Sequence, residues 1–568
     1  MPFARVPFAQ PIESRTASTS KDARSVNAYF EARKEIPDVL KRPGHTTLKE
    51  LGAGTGKGLY KCDSGYLWAV VGNSVYRIAD TSLTSVASGT ISSTSTLVYW
   101  AESGNDTYLF MHNTANGYTS LSNAAFVVVP TDTVGDTFVS TGGTGYSAAT
   151  IVTFSAPLAG GVTATGTVLI IAGVVASITI TNHGTTYSAL DTITATITDG
   201  GGGTGAVVYA YLNGFPVPGT LVDGSAAALA PGAAYLDGYT VVVTRDGRLF
   251  NSEEEDPTSW GPLNYVSVRS DPDPVMGLVK HLNYIVVFGS WSTEFFYNAG
   301  ASTITPGSPF LRNDQLKSEV GCADGDSIVQ FRQAVMWVGV SKTFGRVVYI
   351  MDGGMTAVPV SNAFIERYLN VARVNSGATN KIRSHVFRLA GHTFYVMTLV
   401  DQDLTFVYDV DSKVWYQWTS YYSGAEHAYV LMSAVEFMDS VVALHGTTGN
   451  VVTVSTSILS DNGISIYWRI ITTNLDSGTH KRKFHQHGEV IGDKVSATMS
   501  IRHSSNDYVS WSAWRTVNLN SPRSILWQLS QSRYRAYEFL VTDLVALRLT
   551  AFELNIEGGE QESDPQLA

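Results

Sequence analysis

Along most of this chain short apolar runs alternate with turn residues, and within each run the apolar positions recur at the period of two that a half-buried strand requires. Leu67-Trp68-Ala69-Val70-Val71, Ser74-Val75-Tyr76-Arg77-Ile78, Thr96-Leu97-Val98-Tyr99-Trp100 and Thr107-Tyr108-Leu109-Phe110-Met111 are joined by Gly-Asn or Ser-Gly turns, as antiparallel hairpins are. The densest example follows Ser270-Asp271-Pro272-Asp273-Pro274, whose prolines fix an extended entry. Val275 to Val279 is apolar, Lys280-His281-Leu282-Asn283 is a polar turn, Tyr284 to Phe288 ends at Gly289, and Thr293 to Tyr297 follows. Three short strands so close together form a meander, the unit of a propeller blade. Helical periodicity is confined to Asp38-Val39-Leu40-Lys41 and Asn362 to Leu369.

Strand text of the same kind continues through Thr240 to Thr244, Ala334 to Val338, Arg346 to Ile350, Thr393 to Met397, Thr405 to Asp409 and Val441 to Gly446. Val407-Tyr408-Asp409-Val410-Asp411-Ser412-Lys413-Val414-Trp415 resembles a hairpin common in propeller blades, in which the Asp bonds turn amides and the Trp packs between blades. Residues 131–213 differ, being rich in Gly, Thr, Ala and Val, almost uncharged and free of Trp. Within them Gly143-Thr144-Gly145-Tyr146-Ser147-Ala148 recurs as Gly184-Thr185-Thr186-Tyr187-Ser188-Ala189, an internal repeat in which each copy reads as a small β unit.

The expected organisation is all-β: a β-propeller of about six blades with an inserted β repeat domain and a C-terminal β domain. Residues 1–50 read as an extended N-terminal arm lying on another surface, 51–130 as the first propeller part, 131–213 as the insert, and 214–464 as the propeller continued. Residues 465–560 read as the C-terminal β domain and 561–568 as an acidic tail.

With 568 residues the chain exceeds one ordinary core. A net charge of −11 argues against tight nucleic-acid binding, which needs a basic footprint. Cys62 and Cys322 lack metal spacing and suggest neither a zinc site nor a disulfide scaffold. The start has no secretory h-region, and the longest apolar run, Val168 to Ala176, is too short to span a bilayer. The expectation is a protein made in a cytoplasm, with no membrane insertion.

Candidate chemistry is sparse. Gly52-Ala53-Gly54-Thr55-Gly56-Lys57-Gly58 fails the phosphate-loop spacing at Leu51 and Gly58 and reads as a glycine linker. Glu253-Glu254-Glu255-Asp256 has oxygen enough for calcium but reads as a turn. Ser504 to Trp511 is close to the hairpin box of sialidase propellers, with Asn506 and Tyr508 replacing its Asp and Gly; the box itself is a structural turn. His485 and His487 would share a strand face, although zinc needs more ligands, and Lys481-Arg482-Lys483 reads as a solvated edge. Neither Gly-x-Ser-x-Gly nor His-Glu-x-x-His occurs. No catalytic, cofactor-binding or metal residue is assigned.

Five motifs in order resemble the packaged-DNA stabilisation, or tail nozzle (tail hub), family of short-tailed bacteriophages: Asp237-Gly238-Tyr239, Trp260 to Tyr265, Ser270-Asp271-Pro272-Asp273, Val286 to Glu294, and Trp337-Val338-Gly339. Val26-Asn27-Ala28-Tyr29-Phe30-Glu31 and Lys41-Arg42-Pro43-Gly44 resemble the family's opening, with Phe30 where a proline is usual. Ser510-Trp511, Arg533 to Phe539 and Asp543 resemble its C-terminal domain. The resemblance implies a non-enzymatic virion tail protein in a hexameric ring. Such a ring would extend the portal-adaptor channel, retain packaged double-stranded DNA that passes without specific binding, and dock tail fibres, tailspikes or a needle. The alternative is a propeller glycosidase or lyase, or a glycan-binding module, at the host cell surface.

Overall fold

The computed structural model describes residues 3–9, 12, 23–31, 37–79, 85–90, 97–104, 108–114, 117–121, 127–128, 134–158, 160–187, 193–212, 229–257, 260, 264–268, 273–300, 307–343, 345–372, 381–476 and 479–558. The acidic tail at 561–568 lies outside them, as do Ser270, Asp271 and Pro272. The chain packs as two units: Met1–Leu59, Ala334–Gly339 and Thr343–Ala568 in one, Tyr60–Gln333 and Val340–Lys342 in the other.

In the unit built from Tyr60–Gln333, antiparallel strands follow one another in sequence. Tyr66–Val71, Ser74–Ala79 and Ser85–Thr90 precede Tyr99–Glu102, Tyr108–His112, Gly117–Leu121 and Val127–Val128. Ala234–Leu236, Tyr239–Val243, Arg248–Asn251 and Tyr265–Ser267 form the next sheet, and Val275–His281, Tyr284–Gly289, Thr293–Asn298 and Phe310–Ser318 the one after. Their cores join consecutive sheets. Trp68 and Val70 pack with Leu109 and Met111, Phe110 with Val242 and Phe250, and Val241 and Val243 with Leu278, Ile285 and Phe296. Sheet after sheet packed by its apolar face on the next is a β-propeller arrangement.

In the other unit, the Ala334–Gly339 part of the strand Ala334–Val340, with Val347–Met351 and Ala357–Pro359, leads into the helix Ala363–Val371. Its N-cap Asn362 accepts from the Ile365 amide, and Phe364, Ile365 and Leu369 are buried. Asp38–Lys41 is a strand and not the helical turn its pattern suggests, because it pairs with Ala28–Glu31 on one side and Arg548–Gly558 on the other. The strands Ile382–Leu389, His392–Leu399, Leu404–Asp409 and Val414–Tyr422 form a second meander, and Leu431–Phe437, Ser440–His445 and Val451–Ser455 a third, completed by Gly44–Lys49.

Among the described residues five free-standing blade sheets are found, against about six expected. The four-strand run at 382–422 and the three-strand run at 431–455 are not separate sheets, because strands from both ends of the chain extend them. Arg24–Val26 pairs with Val414–Tyr422 and with Trp468–Ile471, which continues into Ala536–Val541 and Thr498–Ser504. The described part of residues 1–50 is therefore paired within its own chain. Val26, Ala28, Tyr29, Phe30 and Val39 are buried.

The insert also departs from expectation. Each copy of its repeat pairs only with the other: Val134–Thr144 with Thr204–Leu212, Ile151–Phe154 with Ala195–Thr198, and Thr165–Ile171 with Val174–Asn182. The repeated tyrosines cross over in the same way. The Tyr146 hydroxyl accepts from the Ala206 amide at 3.1 Å, and that of Tyr187 from the Ala164 amide at 3.0 Å. Gly143 and Gly184 both have positive φ (64° and 72°), and a side chain at either would collide with a backbone carbonyl and the following tyrosine ring. The recurring Gly and Tyr thus mark one interlocked unit, not two small ones.

Candidate functional site

A buried polar network lies around the opening motifs. Asn27 adopts φ 54° between two strands, a conformation asparagine tolerates better than most residues. Its Oδ1 accepts from Arg42 Nε (2.9 Å) and the Thr419 amide (2.8 Å), while Nδ2 donates to Thr419 Oγ1 (2.8 Å) and Tyr467 O (3.0 Å). The Arg42 guanidinium is fully buried and grips Asp461 with both Nη atoms, 3.0 and 2.5 Å from the carboxylate oxygens. It also donates to Thr419 O at 2.7 Å and lies 4.8 Å over the Tyr429 ring. His45 Nδ1 stands 3.1 Å from Asp461. Burial pushes the Asp461 carboxyl up, but the Arg42 charge and its hydrogen bonds more than reverse this and hold it well below the usual carboxylate range. A Cβ on Gly44 would strike the Ser460 and Ile458 carbonyls.

Asn27, Arg42 and Gly44 therefore clasp the early chain to residues 417–467. Phe30 uses the N–H that a proline would lack: its amide donates to the Tyr416 hydroxyl at 3.1 Å, and the two rings meet edge to face.

The other motifs are turns and anchors. Asp237 and Gly238, both at positive φ, form the two-residue turn between their strands. Trp260 is buried and donates to Pro257 O at 2.8 Å. The Asp273 carboxylate accepts from the Trp291 and Ser292 amides (2.7 and 3.2 Å), and only a glycine at 289 leaves it room. Glu294 is buried 3.5 Å from Arg312. Trp337 stacks on Tyr349. Near the end of the chain, buried Arg535 donates to Leu529 O and Ser505 Oγ, Glu538 pairs with Arg502 at 2.6 Å, and Asp543 accepts from the Thr498 amide.

Asp409 behaves as its hairpin pattern suggests, accepting from the Asp411 amide at 3.0 Å, while Trp415 packs on Tyr408 and donates to Val360 O. Ser412 Oγ and His392 Nδ1 both bond Asp409 Oδ2, each at 2.7 Å. The carboxylate stands between serine and imidazole, so this arrangement lacks the serine–imidazole contact of a nucleophile relay.

The remaining candidates have structural partners. Lys57 is buried, and a Cβ on Gly56 would strike Leu444, so the glycine stretch is no phosphate cradle. Glu253 and Glu255 diverge, to Asn264 and Tyr235. In the 504–511 turn, Tyr508 takes the glycine position at φ 62°, held by its hydroxyl on Thr472 O. Lys483 is not a solvated edge residue: its ammonium is buried and donates to the Thr479, Lys481 and Arg533 carbonyls. His485 bonds Ser532, His487 packs on Trp527, and a bulge separates the two. Among the described residues, no group of three His, Cys, Asp or Glu side chains could hold a metal, and no helix is long and apolar enough to cross a membrane. Asp461 and Thr419 carry the clasp without any local sequence signal.

Residues 230–459 match the family model described as Bacteriophage P22 Gp10, beta-propeller. The resemblance read from the motifs is borne out over that segment. The P22 Gp10 match spans the blade motifs from Ala234 through Trp415, and the clasp residues Asn27, Arg42 and Asp461 lie beyond its bounds. No curated protein matches the chain. Similar solved structures include a catalytically inactive virginiamycin B lyase from Staphylococcus aureus with quinupristin (8% identity, 73% of this chain and 99% of that one, TM-score 0.36) and the WD40 β-propeller domain of Doa1 (8%, 72% and 96%, 0.30). Likeness at that level bears on neither activity nor ligand.

Proposed function

We propose that this chain is a structural protein of a short-tailed phage tail, forming a hexameric nozzle or hub beneath the portal and adaptor. The observation that carries the reading is the P22 Gp10 family match over residues 230–459, which also supports a structural rather than catalytic role. The ring extends the channel, retains packaged DNA and offers its outer wall to tail fibres, tailspikes or a needle. The net charge of −11 suits a surface past which a polyanion slides, since duplex DNA carries about one charge per 1.7 Å of axis.

The test is native mass spectrometry and electron imaging of the full chain, with antibody labelling of assembled particles. Six-membered rings and label at the tail tip are expected. A monomer at micromolar concentration together with unlabelled particles overturns the proposal.

A further inference from the structure

The blade sheet of residues 275–318 carries an irregularity that the propeller does not need. Between Thr293–Asn298 and Phe310–Ser318 the register runs Glu294↔Lys317 and then Phe296↔Arg312, so residues 313–316 bulge out of the ladder. A bulge of this kind re-aims side chains at a sheet edge. Here it stands over a cleft of about 420 Å³ lined by Tyr284, Tyr297, Arg312, Asn313, Asp314 and Gln315, a size within the range of small-ligand sites.

The two tyrosine rings lie 6.5 Å apart and nearly perpendicular, and Tyr297 is 38% exposed, giving an open aromatic face with a polar tip. Asn313 reaches the Tyr284 hydroxyl at 3.5 Å. Arg312 is held from behind by buried Glu294 (3.5 Å) and in turn fixes Asp314 Oδ1 (2.6 Å). That leaves the second Asp314 oxygen, two phenols and two amides as uncharged or half-neutralised hydrogen-bonding groups around the ring face.

We propose that this cleft binds a neutral hexopyranose, the Tyr297 ring taking the C–H face of the sugar and Asp314, Asn313 and Gln315 taking its hydroxyls. An anionic sugar meets the Asp314 carboxylate and an Arg312 guanidinium already paired with Glu294 and Asp314, and is repelled. A cation would use the carboxylate alone and leave the amides and phenols without ligand partners. The inference stands independently of the tail assignment, since it rests only on this cleft.

The experiment is saturation-transfer NMR of the full chain with methyl glucoside, methyl galactoside and methyl mannoside, with glucosamine and N-acetylneuraminic acid as charged controls. Binding of at least one neutral sugar is expected, weakened about tenfold by Tyr297→Ala and by Asp314→Ala. Both positions are exposed, so unchanged melting serves as the folding control, and Gln315→Ala replaces either variant that melts early. Absence of transfer to all neutral sugars, binding unaffected by the substitutions, or stronger binding of either charged control overturns the proposal.

Discussion

The insert and the N-terminal segment both read as appendages in the sequence, yet they find their hydrogen-bond partners in opposite ways. Each described strand pair of residues 134–212 closes within those residues. The strands between residues 24 and 49 instead pair with residues near 417, 452, 470 and 549, and Arg42 is buried against Asp461. Independence is thus set by where backbone and buried polar groups are satisfied, and a charge-poor or Ser/Arg-rich composition does not reveal it.

The largest expected effect tests that contrast directly. Removing residues 1–49 takes away five strands shared among three sheets and half of the clasp, and should abolish cooperative melting by circular dichroism. Replacing 131–213 with a short Gly-Ser bridge should leave the remaining transition within a few degrees of the parent. Equal behaviour of the two deletions would break the comparison.

Next in size, Arg42→Ala should cost about 3–5 kcal/mol in chemical denaturation, because Asp461 is left buried and uncompensated. Removing one hydroxyl, Tyr187→Phe leaves the Ala164 amide short of its acceptor at a cost of roughly 1–3 kcal/mol. Hydrogen exchange should then quicken across 134–212 and stay unchanged at 431–455; faster exchange in both would show that the insert is not energetically separate.

The smallest difference concerns acid. Burial lowers His445 from 6.5 to about 4 and His485 from 6.5 to about 3, so both enter the folded state neutral. Their contribution is fully present above pH 6.5 and is lost as pH falls toward 4, where only the unfolded chain takes up protons. In the insert, hydrogen bonds from Ser147, the Gly203 amide and Thr150 hold Asp199 at about 2. Its contribution is present above 3.8 and is lost as pH falls through 2. At pH 5, exchange protection should therefore weaken in residues 431–492 before it weakens in 134–212.

Strand positions were legible because burial and period agree locally: Leu67 to Val71, Tyr284 to Phe288 and Thr393 to Met397 all lie in strands. Pairing was not, since a period of two says which face a residue takes and nothing about which strand lies beside it. The interlocked repeat is a failure of that kind, whereas Asp38–Lys41 carries a helical period that its distant strand partners override. Among site residues, Asp409 was readable from turn chemistry, since the Asp411 amide it accepts from is two residues away, whereas the amides bonded to Asp273 lie 18 and 19 residues further on. Asp461 was not, because its partner is 419 residues away and nothing in Ser460-Asp461-Asn462-Gly463 distinguishes a buried ion from a hairpin turn.

That separation also sets a timetable for synthesis. Arg42 leaves the ribosome long before Asp461, and at the usual 5–20 residues per second the delay is roughly 20–80 s. Throughout it Gly44–Lys49 has no strand to pair with, since Val451–Ser455 and Asp461 are still to be made. The nascent chain carries an open edge and a solvated guanidinium until its last quarter emerges, and only then can its first strands be locked in place.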